Sequence, residues 1–230
     1  MSASSALAWF ALLLIVSLYA SYVYSKRTMS HADVVCLGDS LTDCGGVGGR
    51  FTDFLAKALP GVRVVNKGIG GNTLAQGRAR FNRDVISLCP KVVVVELGAN
   101  DFLQGNRSIE ALRDDLEFMV REAHQRGIGV VMASVFGPQY DEDGREIPKQ
   151  FPEGNPKFGR QILEMEREIA KCYGCKHIEN IQAKLTGSEH LSDGRHPSAA
   201  GNQLVAEALL PFVKELLETP NPKLKIQNSK

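Results

Sequence analysis

The chain has 230 residues, 43% hydrophobic and 23% charged, with 27 basic against 26 acidic side chains, the balance of an ordinary globular domain. A net charge of +1 and the lack of a basic run interleaved with aromatics exclude a nucleic-acid surface. Five scattered cysteines exclude a disulfide scaffold.

Residues 6–24 carry no charge, and a helix over them reaches about 28 Å, close to a bilayer core. The stretch exceeds the apolar core of a cleaved leader and lacks both a basic start and a good cleavage site. It therefore predicts a retained transmembrane anchor over residues 1–25, with a cleaved signal peptide as the alternative. Lys26 and Arg27 follow directly, which places the domain on the cytoplasmic side; the periplasmic or extracellular side is the alternative. A linker over 26–31, a main domain over 32–218 and a polar tail over 219–230 complete the plan.

From Ala32 onward strands and helices alternate. A first strand over 34–37 stops at Gly38 and turns at Asp39-Ser40, the pattern of a strand ending in a tight turn. Phe51, Phe54, Leu55 and Leu59 lie at helical spacing. A second strand spans 62–66, and a glycine loop over 67–73 leads into a helix carrying Arg78, Arg80 and Arg83. Residues 91–97 contain four consecutive valines, apolar on both faces, which marks a central parallel strand. A capped helix over 108–125 ends at Gly127, and a fourth strand runs over 129–135. Residues 137–156 form a long loop rich in Pro, Gly and charge, either a lid or a solvated insertion. A helix over 157–171, a fifth strand over 175–179, and a last helix with Pro197 in its first position finish the domain. The order predicts an α/β fold, a three-layer sandwich on a mostly parallel five-stranded sheet in flavodoxin-like order.

Polar chemistry gathers where the first three strands end and before the last helix: Gly38-Asp39-Ser40-Leu41, Gly70-Gly71-Asn72-Thr73, Gly98-Ala99-Asn100-Asp101 and Asp193-Gly194-Arg195-His196-Pro197. The carboxyl edge of such a sheet is where open α/β folds place ligands. A serine hydroxyl needs an adjacent base to act as a nucleophile. His196 is the candidate base for Ser40, with Asp193 in reach of its Nδ1 within one turn. The alternative for Ser40 is a helix cap, and the rival base is His190. Candidate oxyanion donors are the Ser40 and Gly71 N–H groups and the Asn100 amide. Cys172-Tyr173-Gly174-Cys175 is a C-x-x-C without the second pair a metal site requires.

In this order, the four blocks resemble the GDSL or SGNH hydrolases over residues 33–213, with the nearest likeness to thioesterase I/lysophospholipase L1-type esterases and arylesterases. The resemblance implies a serine ester hydrolase of the lipase-like class that works through an acyl-enzyme on Ser40. It implies Ser40, Gly71 and Asn100 as the oxyanion hole, His196 as base, and Asp193 as the acid that orients it. It implies neither cofactor nor metal. The implied partner is a lipid or small-molecule ester, including thioesters, with lipid-like esters favoured by the expected anchor. A sugar O-acetyl esterase and a catalytically silent, membrane-tethered binding module are the alternatives. The sequence leaves the oligomeric state unknown.

Overall fold

Short apolar runs become the strands of one parallel sheet in the computed structural model of the chain, which describes residues 9, 12–19, 21, 31–138 and 155–219. The strands are β1 (Val34–Gly38), β2 (Val64–Gly68), β3 (Val92–Glu96), β4 (Gly129–Ala133) and β5 (Lys176–Ile178). Their order is β2-β1-β3-β4-β5, and every pairing is parallel. This is the flavodoxin-like order that the sequence predicts. β1, β3 and β4 are buried at every residue, as strands covered on both faces must be.

The helices are α1 (Ser40–Asp43), α2 (Phe51–Ala58), α3 (Leu74–Asp84), α4 (Ala99–Gln104), α5 (Ile109–Gln125), α6 (Pro156–Tyr173) and α7 (Ala199–Glu218). α2 packs against α7, while α3, α5 and α6 pack in series, which gives two helical layers around the sheet. Leu37, Phe51, Phe81, Met119, Ile162 and Leu209 sit fully buried between the layers.

Three sequence expectations are corrected. The transmembrane helix expected over residues 1–25 is not borne out: among the described residues no helix is long and apolar enough to cross a membrane. Of that stretch, residues 9, 12–19 and 21 are described and helical. The remaining residues of that stretch lie outside the described residues. The second strand begins two residues later than expected, at Val64. The last helix begins at Ala199, not Pro197, because Ser198 is its cap, its hydroxyl accepting from the Gly201 N–H. Pro197 instead bridges to Leu191 in antiparallel fashion. Of the 137–156 loop, residues 139–154 lie outside the described residues.

Candidate active site

The turn after β1 is shaped by Gly38. A Cβ there would lie 1.9 Å from the Thr42 hydroxyl oxygen and 2.8 Å from the Glu96 carbonyl oxygen, so α1 packs onto the strand end only because no side chain intervenes. The chain then leaves the strand at Asp39, whose carboxylate accepts from the Leu41 N–H at 2.9 Å. Asp39, not Ser40, is the helix cap. Ser40 is therefore left as the first residue of α1, with its hydroxyl free to face the sheet's carboxyl edge.

His196 reaches that hydroxyl from the far end of the chain. Its Nε2 lies 2.9 Å from Ser40 Oγ, and its Nδ1 lies 2.7 Å from Asp193 Oδ2. A carboxylate only accepts hydrogen bonds, so Nδ1 carries the proton and Nε2 presents its lone pair to the serine O–H. The other Asp193 oxygen accepts the N–H groups of Arg195 at 3.0 Å and His196 at 2.7 Å. The His196 N–H and imidazole, followed by the Arg195 N–H, hold the Asp193 carboxyl well below the usual carboxylate range. The loop is closed on itself by the Ser192 N–H and hydroxyl, which both donate to the His196 carbonyl. The rival histidine, His190, instead accepts from the Gly187 N–H and sits beside Glu189.

The loop over 69–72 closes with the Asn72 N–H donating to the Ile69 carbonyl. Gly71 takes φ +78 in it, the left-handed conformation that favours glycine. The turn's own bond leaves its central amides, including the Gly71 N–H, unconsumed. A Cβ on Gly70 would lie 3.8 Å from Ser40 Cβ, which sets this loop directly beside the serine. Asn100, in the first turn of α4, donates through Nδ2 to Asp39 Oδ2 at 2.8 Å and to the Asn72 carbonyl at 3.0 Å. Both amide hydrogens are engaged in the resting site. The bond to the neutral Asn72 carbonyl is the weaker of the two.

Sequence reasoning passed over the groups that brace these loops. The buried Arg80 guanidinium on α3 donates to the Gly38 and Lys67 carbonyls, the Asn72 side chain and Asp84. It thereby ties two of the loops together. Buried Asp101 accepts from the Leu74 N–H at the start of α3 and pairs with Arg107. Glu96, the last residue of β3, accepts from the Thr42 hydroxyl at 2.8 Å. The sequence signals were an arginine within a helix, the Asp101 that closes the block after the third strand, and a carboxylate ending an all-valine strand.

Asp39, Ser40, Asn100 and His196 border a cleft of about 160 Å³, which Leu41, Ala99, Leu103 and Arg195 complete. All five cysteines are free thiols; Cys175 lies 3.8 Å from His124 Nε2, remote from the cleft in the fold. Among the described residues no group of three or more His, Cys, Asp or Glu side chains is arranged to hold a metal.

Residues 36–204 match the model of the GDSL-like lipase/acylhydrolase family. The chain is 26% identical over 202 residues to an acetylxylan esterase of Geobacillus stearothermophilus, covering 76% of this chain and 90% of the relative. It is 28% identical over 160 residues to the esterase TesA of Pseudomonas aeruginosa, covering 67% of this chain and 71% of the relative. A crystal structure of TesA superposes with a TM-score of 0.66 at 25% identity, over 80% of this chain and 98% of that one.

Proposed function

The chain belongs to the GDSL-like lipase/acylhydrolase family and is a serine esterase; from that premise we propose that Ser40 is its nucleophile, His196 its base and Asp193 the acid that orients the base. The observation that carries the assignment is the unbroken line from Asp193 Oδ2 through the His196 ring to Ser40 Oγ, with contacts of 2.7 and 2.9 Å. In this reading Ser40 Oγ attacks the acyl carbonyl while its proton passes to His196 Nε2. The carbonyl oxygen, now negative, rests on the Ser40 and Gly71 N–H groups and the Asn100 amide. The imidazolium protonates the departing alkoxide or thiolate, leaving the acyl group on Ser40. Water then attacks that ester, gives its proton to Nε2, and the serine is regenerated as the acid departs.

The cleft supports a short acyl group. It is small, about 160 Å³, and Leu41, Ala99 and Leu103 supply its apolar lining. The sequence argument for lipid-like esters rested on the membrane helix and goes with it. Acetyl esters, including those of sugars, fit this reading, and one relative is an acetylxylan esterase.

The test uses the full chain with p-nitrophenyl acetate, butyrate and octanoate beside Ser40→Ala. The expected result is fastest turnover on the two shorter esters and loss of turnover in the variant. Equal rates in both proteins would remove Ser40 from the chemistry, and octanoate as the best substrate would overturn the short-acyl reading.

A further inference from the structure

Two hydrogen bonds join neighbouring residues of α4 to the chain just after Gly71. Asn100 Nδ2 donates to the Asn72 carbonyl at 3.0 Å, and Asp101 Oδ2 accepts from the Leu74 N–H at 2.8 Å. Together they set how far the Asn100 amide stands from the Gly71 N–H. The first bond is made by a group that the reaction needs for the substrate. The second is not: Asp101 forms no part of the cleft wall, and its side chain is 0% exposed. It holds the start of α3 whether or not the cleft is filled.

A buried carboxylate needs a partner for its charge, and Arg107 supplies one. Arg107 lies in the short turn between Gly105, which ends α4, and Ser108, which caps α5. Its Nη1 is 3.5 Å from Asp101 Oδ1 and 2.7 Å from Asp115 Oδ2 on α5, and its Nη2 donates to the Ala111 carbonyl at 3.3 Å. Buried Asp115 also accepts from Arg78 Nη1 on α3 at 3.0 Å. The Arg78 guanidinium sits 4.5 Å from the centre of the Phe118 ring. Arg78 is one helical turn on from Leu74. The contacts therefore close a ring from Leu74 through Asp101, Arg107, Asp115 and Arg78 back along α3. Two carboxylates alternate with two cations in it, so each carboxylate has a cation beside it. Burial raises the Asp101 carboxyl, and the Leu74 N–H and then Arg107 oppose that rise.

We propose that Arg107 is a positioning residue for the oxyanion hole. It holds Asp101 as the acceptor for Leu74 and thereby fixes the spacing of the Gly71 and Asn100 donors on either side of that bond. It acts through Asp101 and touches neither the substrate nor the reacting atoms. The role rests on the reading of Gly71 and Asn100 as oxyanion donors.

The test compares Arg107→Gln, Arg107→Lys and Asp101→Asn in the full chain, with p-nitrophenyl acetate as substrate. Losing a whole oxyanion donor costs about 100-fold or more in kcat. Misaligning two of them in Arg107→Gln is expected to cost about 5- to 30-fold in kcat, with KM within about twofold. Both carboxylates meet the same atom, Nη1, so the point charge of Arg107→Lys is expected to keep at least about a third of kcat. Asp101→Asn leaves Arg107 paired with Asp115 and strands no buried carboxylate, so it decides the matter if Arg107→Gln does not fold. Its amide accepts from Leu74 only by turning its NH₂ toward Arg107, a donor facing a donor, and the same loss of kcat is expected. A tie that served stability alone would lower the melting temperature and leave kcat unchanged. In an Asn100→Ala background the Arg107→Gln loss is expected to shrink to about threefold or less, because one of the donors it aligns is gone. Undiminished kcat in Arg107→Gln or Asp101→Asn, a loss that falls on KM, or a loss that multiplies in full onto Asn100→Ala overturns the proposal. Undiminished kcat in Asn100→Ala itself would overturn the oxyanion reading instead, so the two failures are told apart.

Discussion

Replacing Asp193 by asparagine and by alanine sets catalysis against stability. The Asp193 side chain is 55% exposed, so solvent screens its pairing with His196, and removing it costs at most about 1 kcal/mol of stability. Asparagine keeps Oδ1 and with it the acceptor for the Arg195 and His196 N–H groups. Its NH₂ group, however, now faces Nδ1 across the 2.7 Å contact. Two donors cannot share that contact, so the ring moves its proton to Nε2, where it no longer accepts from Ser40. The loss of a charge-assisted hydrogen bond alone is worth about 1.5–3 kcal/mol, or about 10- to 150-fold in rate. The wrong tautomer adds to this, reaching on the order of 10⁴ in a well-held triad. Alanine leaves Nδ1 open to water and the tautomer free, so its loss is smaller, about 10- to 100-fold, while its loop is less well held. The expected order is therefore inverted: Asp193→Asn falls below Asp193→Ala in kcat, but equals or exceeds it in melting temperature. Steady-state hydrolysis of p-nitrophenyl acetate and thermal melts of the same preparations give both orders. Asp193→Asn retaining more than about a tenth of wild-type kcat would refute the tautomer argument.

Two further outcomes are expected. Gly38→Ala must displace the Thr42 hydroxyl, which sits 1.9 Å from the new Cβ, and with it the Thr42–Glu96 bond; overpacking and the lost bond together cost about 2–5 kcal/mol. Urea denaturation measures this, and a loss under about 1 kcal/mol would show that α1 shifts freely on the strand end. Iodoacetamide is expected to label the exposed Cys89 and Cys172 without loss of turnover and to spare Cys36, whose thiol burial pushes up, until the protein unfolds. Labelling of Cys36 in native protein, read by mass spectrometry, would contradict its burial.

The sheet was legible because burial writes itself into composition. The 92–95 valine run has no polar face to offer solvent, and it became the centre of the sheet, with β1 on one side and β4 on the other. The gathering of Ser40, Gly71 and Asn100 followed from the same logic, since parallel strands deliver their following loops to one edge; His196 comes from the loop before the last helix. Helix starts were less legible. Pro197 fits the first turn of a helix by its fixed φ, but its pairing with Leu191 is a long-range contact that local chemistry does not announce. The bracing groups were least legible. Nothing near Arg80 in sequence shows that its guanidinium reaches the Gly38 carbonyl 42 residues away, and Asp39 reads as a turn residue until Asn100 is seen 61 residues on.

The carboxyls on the two sides of Ser40 respond to pH in opposite senses. Asp193 is held low by N–H donors, so its contribution to stability is present above the ordinary carboxylate range near about 3.9 and is lost as pH falls through its depressed value. Asp39 and Glu96 are held high by burial, so theirs is fully present in acid and is lost as pH rises through their raised values. The melting temperature of wild type minus that of Asp193→Asn should therefore grow from about pH 3 to pH 6. The same difference against Glu96→Gln, whose amide does not titrate, should shrink as pH rises. With about 2–4 °C per kcal/mol for a domain of this size, and under about 1 kcal/mol from the exposed Asp193 pair, the first trend amounts to a few degrees at most. The buried pair lacks that screening and should give the steeper trend. Melts of the three proteins across about pH 3 to 9 decide it: slopes of the same sign would mean that the two sides do not hold their protons as their surroundings dictate.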